Sequence, residues 1–267
     1  MSWVSGVDCR TLKLTVQYDG TNYVGWQRQA EGVSIQALLE EALEPFEGAP
    51  VTVYGAGRTD AGVHALAQVA SVRTRTEHGV ETLRRALNAV LPSDVRVLAV
   101  EDAAPGFHAR FDAVSKTYAY RIANVAVVSA FEPRYVWHVP GRLDIDAMRR
   151  GAEMLVGRHD FAAFQSSGGD VQSTERTMLA IELESDRGQT GVRPGSDQGQ
   201  TPPLVIFVTG DGFLRHMVRS IAGTLVDVGL GRWPASYVAE ILASRDRRRA
   251  GRAAPAAGLF LVRVDYT

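Results

Sequence analysis

The sequence predicts an α+β protein built on a mainly antiparallel sheet that is flanked by helices. In the first half, strand-like alternation and helix-like periodicity follow one another in the order β-α-β-β-α-β. The second half partly repeats that order. The 267 residues, of which 45% are hydrophobic and 22% charged, have the composition of a soluble globular protein.

The elements of the first half follow from periodicity and from local capping signals. Residues 11–18 alternate as a strand, with Leu12, Leu14 and Val16 on one face. Ser34 is a good N-cap for a helix that runs to about Glu44. The same reasoning predicts further strands at 51–54, 66–72 and 95–100 and a helix at 80–90.

The elements of the second half surround one unusual segment. Strands are predicted at 117–122, 177–184, 204–209 and 259–266, and helices at 144–155, 213–228 and 235–243. Residues 185–203 are rich in Gly, Gln, Asp, Ser and Pro and contain few apolar residues. This composition predicts a mobile loop inserted between two paired strands.

Composition excludes several classes of protein. The single cysteine, Cys9, excludes an internal disulfide and any multi-cysteine metal site, and it favours the reducing cytoplasm. No apolar run is long enough for a membrane span, and residues 1–8 lack the features of a secretory signal. A net charge of −1 argues weakly against a nucleic-acid partner, although a total can hide local patches.

The most informative segment is 55–65, which reads GAGRTDAGVHA. It places a carboxylate, Asp60, in a glycine-rich turn between two predicted strands, with Arg58 two residues before it. Arg58 can pair with this carboxylate or bind an anionic ligand. The segment can also be an ordinary turn, because Asp and Gly are common turn residues. It matches neither the dinucleotide-binding fingerprint nor the phosphate-binding loop.

Three further clusters combine cations with aromatic or apolar residues. Residues 107–111 and 116–121 form either a stacking and phosphate-binding surface or a set of core aromatics. In residues 212–223, Arg215 and Arg219 are four apart and are expected on one helix face. Residues 245–252 are the densest positive stretch, which indicates either phosphate binding or a solvated helix end. The histidines show no metal-ligand spacing.

Six blocks of this sequence resemble the TruA family of tRNA pseudouridine synthases, which act on the anticodon stem-loop. They occur in the family's order and extend over most of residues 11–266. The blocks are YDGTNYVGWQ at 18–27, GRTDAGVHA at 57–65, FHARF at 107–111, KTY at 116–118, FLRHMVR at 213–219 and APAAGL at 254–259.

The resemblance implies an α+β fold of two ferredoxin-like halves, 1–106 and 107–267, which form a continuous, mainly antiparallel sheet with the active-site cleft along it. The first half would carry the catalytic aspartate, and the second would contain the insert near 185–203. The resemblance also implies a homodimer, a tRNA substrate modified at uridines 38, 39 and 40, and neither cofactor nor metal. The insert looks longer than is usual in the family.

The resemblance also implies roles for individual residues. Asp60 matches the catalytic aspartate, which acts as the nucleophile or as the base that triggers departure of the uracil. Arg58 would fill the space vacated by the flipped base, Arg219 would pair with the aspartate, and Tyr118 would stack on the target uracil. Leu259 would form an apolar wall. The residues expected to bind the RNA are Arg110, Lys116, Arg215 and the stretch 245–252.

Two other classes of function compete with this interpretation. A glycoside or nucleoside hydrolase could also use Asp60, but hydrolysis normally needs a second carboxylate, and Asp19 is the only tempting partner in these blocks. A non-catalytic RNA-binding protein could retain the fold, but it would be expected to lack the aspartate or its arginines, and this chain has all of them.

Overall fold

The computed structural model describes residues 9–168, 172–185 and 202–267, which contain ten strands and five α-helices. They form two compact units. The first runs to Ala113 and includes Tyr266 and Thr267, and the second comprises Val114–Asp265. Most strand pairs are antiparallel, which confirms the predicted α+β class.

The first unit has the predicted order of elements. Its strands are β1 (Arg10–Tyr18), β2 (Val53–Gly55), β3 (His64–Thr74) and β4 (Val95–Ala103), and its helices are α1 (Ile35–Glu47) and α2 (Val80–Val90). The strands lie in the order β4-β1-β3, and β2 pairs with β3. All of these pairs are antiparallel.

Local sequence explains where the first helix begins and ends. The Ser34 hydroxyl accepts a hydrogen bond from the N–H of Ala37, which confirms the predicted N-cap. The helix continues beyond the predicted end and stops at Gly48, whose φ of 66° favours glycine. The Glu47 carboxylate accepts backbone hydrogen bonds from Arg75 and Thr76, and these contacts hold the last turn in place.

The second unit contains the remaining elements. Its strands are β5 (Ala113–Ala123), β6 (Trp137–His138), β7 (Gly157–Asp160), β8 (Glu175–Ser185), β9 (Leu204–Gly210) and β10 (Leu259–Tyr266). Its helices are α3 (Ile145–Glu153), α4 (Met217–Gly229) and α5 (Tyr237–Ser244). The strands lie in the order β10-β5-β9-β8-β7, and β6 pairs with β5 in parallel.

The segment predicted as an inserted loop connects two paired strands. Strands β8 and β9 are antiparallel, with Ser185 opposite Leu204. Residues 186–201, which are most of the predicted loop, lie outside the described residues. The structure therefore describes one part of this prediction, the pairing of the two strands that flank the loop, and confirms it.

The sequence analysis placed the start of α4 too early. The helix begins at Met217, because His216 adopts a left-handed conformation with φ of 60°. The preceding residues bond to another segment instead: Arg215 accepts a hydrogen bond from the N–H of Ser166 at 3.1 Å. Arg215 is therefore outside the helix, and the prediction that it shares a helix face with Arg219 is wrong.

Substitution Gly223→Ala is expected to lower the free energy of unfolding. A Cβ at this α4 position would lie 1.8 Å from the carbonyl oxygen of Arg252, so the backbone would have to move. Overpacking of this kind costs about 1–3 kcal/mol and outweighs the gain of up to about 1 kcal/mol from alanine in a helix. Urea unfolding would measure the difference.

Gly79→Ala is the matched control for that measurement. Gly79 has a φ of −61°, and no atom lies within 4 Å of the position its Cβ would take. Gly79 is the N-cap of α2, where alanine is less favourable than glycine, but the reduced entropy of the unfolded chain offsets this loss, so the variant should lie within about 1 kcal/mol of the parent. Equal stability of Gly223→Ala and the parent would show that α4 does not depend on this close approach.

Candidate active site

The loop at 56–63 carries the predicted catalytic carboxylate and is tied to the strand that follows it. The N–H of Ala56 donates to the carbonyl of Val69 at 2.8 Å. The Gln68 side-chain amide donates to the carbonyl of Gly57 at 2.8 Å. Both partners of the loop belong to β3, so the strand fixes the path of the chain where the loop begins.

The second partner of this loop is the segment at Gly25 and Trp26. Gly25 forms an antiparallel bridge with Asp60, and the N–H of Trp26 donates to the carbonyl of Thr59 at 3.0 Å. Gly25 has a φ of 106°, and a Cβ here would lie 2.4 Å from the Thr59 carbonyl oxygen. Both constraints require glycine. The Trp26 ring lies against Gly55, where any Cβ would meet it at 2.4 Å.

A buried polar network lies beside the loop. The Tyr18 hydroxyl is 2.8 Å from the Thr59 hydroxyl and also hydrogen-bonds with the Gln68 side chain. Burial raises the pKa of the Tyr18 phenol to about 12, even though these hydrogen bonds act in the opposite direction. The phenol is only 3% exposed and therefore stays neutral and in place at physiological pH.

The far end of the loop is fixed by a buried histidine. His64 is buried, and its Nδ1 lies 3.0 Å from the backbone nitrogen of Gly20 and 3.1 Å from a carboxylate oxygen of Asp19. Asp19 also accepts a hydrogen bond from the N–H of Thr21. A Cβ at Gly20 would lie 1.9 Å from the carbonyl oxygen of Val63, so this approach also needs glycine.

These contacts determine which side chains of the loop reach solvent. Thr59 is buried, whereas Arg58 is exposed and Asp60 is partly exposed. The loop therefore presents a carboxylate and a guanidinium on a backbone held at both ends. Chemically, this arrangement suits a carboxylate that attacks or deprotonates a bound ligand, with an arginine beside it that can contact an anionic group.

In the second unit, Tyr118 lies on β5 and is buried. The ring of Phe213 meets it edge-on, with centroids 5.0 Å apart and an interplanar angle of 82°. Lys116, two residues earlier on the strand, is half-buried. Tyr120 is also buried, and its hydroxyl donates to the carbonyl of Pro255 at 2.8 Å. The alternative interpretation of these tyrosines as core aromatics thus fits the burial of both.

The segment before β10 is held against the start of α4. The Nε of Arg219 donates to the carbonyl of Ala254 at 2.7 Å, and the N–H of Ala254 donates to the carbonyl of Arg219 at 3.0 Å. At Gly258 a Cβ would lie 2.8 Å from the carbonyl oxygen of Arg121, so the segment lies close against β5. This path brings Leu259, which is buried, to the first position of β10.

The positive stretch at 245–252 is less positive than its sequence indicates. Arg245 pairs with Asp160 at 3.0 Å, and Arg249 pairs with Glu240 at 3.3 Å. A third pair joins Arg248 to Asp246, and the hydrogen bond from Arg248 lowers the pKa of Asp246 to about 2. Carboxylates therefore neutralise much of the charge that the sequence analysis assigned to phosphate binding.

The predicted site residues divide between the two units. Arg58, Asp60 and Arg110 belong to the first, and the second contains Lys116, Tyr118, Arg215, Arg219 and Leu259. Arg110 is exposed, and Arg215 is exposed and donates to the carbonyl of Ser167 at 3.0 Å.

The network of Tyr18, Thr59 and Gln68 was not predicted from the sequence. Gln68 gave a usable signal, because a polar residue in an apolar strand is expected to be hydrogen-bonded. Its amide nitrogen does bond to the Gly57 carbonyl, whereas its Oε1 has no partner among the described residues.

The described residues contain neither a candidate metal cluster nor a helix that could span a membrane. Among the residues whose placement is described, no group of three or more His, Cys, Asp or Glu side chains could hold a metal ion. None of the helices in this part of the chain has the length and apolar character needed to cross a membrane.

Comparison with known proteins gives one consistent result. The sequence profile of the family described as tRNA pseudouridine synthase matches residues 14–112 and 152–267. A protein of Rhodospirillum centenum named tRNA pseudouridine synthase A is 45% identical over 95% of this chain and 98% of its own length. Its namesake from Pelobacter propionicus is 44% identical over 96% of this chain and its entire length.

One more distant match comes from the solved structures. The structure titled "Crystal Structure of a Cbf5-Nop10-Gar1 Complex" aligns with a TM-score of 0.36 and 12% identity, over 94% of this chain and 48% of that one. This likeness is too distant to inform the fold.

Substitution Tyr18→Phe is expected to lower the free energy of unfolding by about 1 kcal/mol at neutral pH, because it removes a buried hydrogen bond. The difference should narrow above pH 10 and reverse in sign by pH 12. There the unfolded phenol ionises at its ordinary value, whereas the folded phenol, with its pKa raised to about 12, does not. By pH 12 this linkage lowers the free energy of unfolding of the parent by about 2 kcal/mol and leaves that of the variant unchanged. Urea unfolding across pH 7–12 measures both effects.

Tyr54→Phe is the control for loss of a hydroxyl at an exposed site in the same unit. It should match the parent in stability and in pH dependence. A constant difference between Tyr18→Phe and the parent at every pH would contradict the role assigned to the buried phenol.

Proposed function

The chain belongs to the tRNA pseudouridine synthase family, and we propose that it isomerises uridine to pseudouridine at positions 38, 39 and 40 of the tRNA anticodon stem-loop. The main structural support for this proposal is the rigid loop that presents Asp60. It combines a partly exposed carboxylate with a backbone held by β3 and by the Gly25–Trp26 segment.

The reaction rearranges bonds within one nucleotide. The bond between uracil N1 and ribose C1′ breaks, the base turns, and a bond forms between C5 and C1′. C5 loses its proton, N1 gains one, and no water is consumed. The target base must first leave the stack, because the bond between sugar and base is inaccessible inside a helix.

We assign the chemical step to Asp60. The carboxylate acts on the target nucleotide as the nucleophile or as the base that triggers departure of the uracil, and both roles need its ionised form. Its partial exposure to solvent, two residues after the exposed Arg58, supports this role.

We assign substrate contacts to four further residues. Arg58 occupies the space that the flipped base leaves, and its exposure supports contact with RNA. Tyr118 stacks on the target uracil, and its hydroxyl takes the C5 proton or holds the group that does. Arg219 is the proposed cationic partner of the aspartate, and its hydrogen bond to Ala254 orients the guanidinium. Leu259 contributes an apolar wall.

We also propose how the protein binds RNA, how it assembles and where in the cell it acts. Arg110, Lys116 and Arg215 contact the RNA backbone, together with those arginines of 245–252 that can exchange a carboxylate for a phosphate. The ferredoxin-like half at 1–106 carries the aspartate, and the half at 107–267 carries the tyrosine. The protein acts as a homodimer in the cytoplasm, where its tRNA substrate is found.

Substitution Asp60→Asn should abolish conversion and leave tRNA binding intact, because the amide keeps the size of the side chain but cannot act as a nucleophile or base. The substrate is an unmodified tRNA transcript with tritium at uridine C5. The parent should release tritium while the base remains attached to the sugar. Filter binding gives the tRNA affinity of both proteins.

Asp102→Asn is the control, because Asp102 is an exposed carboxylate of the same unit that pairs with Arg10. It should convert tRNA at the parent rate. Release of free uracil by the parent would identify a hydrolase instead. Binding without any product from the parent would identify an RNA-binding protein.

Substitution Tyr118→Phe tests the proposed proton acceptor. It keeps the ring that stacks on uracil and removes the hydroxyl, so kcat should fall by about 10²-fold or more with little change in tRNA affinity. Single-turnover tritium release measures the chemical step directly. Conversion at the parent rate would exclude the phenol as the acceptor of the C5 proton.

A further inference from the structure

Three aromatic rings of the first unit lie in contact with one another. The rings of Tyr54 and His108 have centroids 5.0 Å apart, and those of His108 and Phe111 have centroids 4.3 Å apart. The guanidinium carbon of Arg110 lies 5.7 Å from the Phe111 centroid. We call Tyr54, His108 and Phe111 the aromatic platform. Its outer end therefore combines a phenyl ring with a cation.

The platform is open to solvent. Phe111 is 74% exposed and Tyr54 is 49% exposed. A single exposed apolar side chain is common on protein surfaces, but contiguous rings beside a cation indicate a binding surface. His108, between them, is partly buried, whereas folding leaves most of the Phe111 ring exposed, so this ring does not serve to stabilise the core.

The turn that carries Phe111 is held rigidly. The N–H of Ala109 donates to the Ser71 hydroxyl at 3.0 Å, and the Tyr266 hydroxyl donates to the carbonyl of Ala109 at 2.7 Å. The N–H of His108 donates to the Asp112 carboxylate at 2.8 Å. A ligand therefore meets rings whose backbone is already ordered, which lowers the entropic cost of binding.

We propose that the aromatic platform binds an unpaired nucleobase of the RNA substrate, which stacks at its Phe111 end, while Arg110 contacts an adjacent phosphate. This inference rests on the proposed function, which supplies RNA as the substrate. Aromatic rings beside arginine form the stacking surfaces on which unpaired bases bind, because every base has a flat π-face.

The position of the platform in the chain supports binding of the same RNA molecule. Tyr54 lies on β2, four residues before Arg58 and six before Asp60. Even a fully extended chain of six residues spans only about 20 Å. A tRNA bound with its target uridine at Asp60 therefore has its neighbouring nucleotides within reach of the platform.

The test is the tRNA affinity of Phe111→Ala at several salt concentrations. Loss of one stacked base should weaken binding between about fivefold and about 150-fold. Since stacking releases no counterions, the slope of log Kd against log salt should equal that of the parent. Arg110→Ala should instead reduce that slope by about one. Phe111→Trp, which retains a ring, should restore affinity.

Phe131→Ala is the matched control, because Phe131 is an equally exposed phenylalanine of the other unit at 89% exposure. It should bind tRNA like the parent. Thermal unfolding of each variant, and sedimentation velocity, would be measured alongside. Phe111→Ala should retain the parent's melting temperature and oligomeric state.

Several outcomes would overturn the inference. The inference would be wrong if Phe111→Ala bound tRNA as tightly as the parent. It would also be wrong if Phe131→Ala lost as much tRNA affinity as Phe111→Ala. A change in protomer number with unchanged tRNA affinity would assign the platform to contact between copies of the chain. Pseudouridine formation by the parent is measured on the same tRNA. If the parent forms none, the proposed function has failed; if it does and Phe111→Ala binds normally, only this inference has failed.

Discussion

The main-chain pairing between Gly25–Trp26 and Thr59–Asp60 is the contact on which the candidate site depends. It fixes the position of Asp60 through backbone atoms. The pairing works only because Gly25 has a positive φ and no Cβ, since any side chain would meet the Thr59 carbonyl. The pairing thus joins Gly25, in the sequence block at 18–27, to Asp60, in the block at 57–65.

The polar network beneath the loop strengthens this constraint. Tyr18, Thr59 and Gln68 are all buried, and a buried polar group without a partner costs about 1–3 kcal/mol. A shift of the loop would break the Tyr18–Thr59 hydrogen bond and the bond from the Gln68 amide to Gly57 together, although Gln68 Oε1 itself has no hydrogen-bond partner among the described residues. This cost explains how a glycine-rich segment, which is flexible by composition, can hold a reactive group in one place.

Periodicity and caps predicted most of the fold because they report local burial. The alternation at Leu12, Leu14 and Val16 and the cap at Ser34 were both correct. The two-residue β6 and the four-residue β7 were missed, because such short strands have no measurable period. The start of α4 was misplaced since His216 and its neighbours bond to distant residues, which no local pattern reveals.

The charge distribution shows why a sequence total says little about RNA affinity. The net charge is −1, and three arginines of the densest positive stretch already pair with carboxylates. Each of those exposed pairs costs only about 0–1 kcal/mol to break, but its carboxylate stays nearby and lowers the local positive potential, so the stretch attracts phosphates less than its sequence indicates. Affinity must then come from arginines in more favourable positions, such as Arg58 and Arg110, and from contacts that do not depend on charge. Exposed rings held on a rigid turn are contacts of that kind, which is why the aromatic platform and the arginines complement each other.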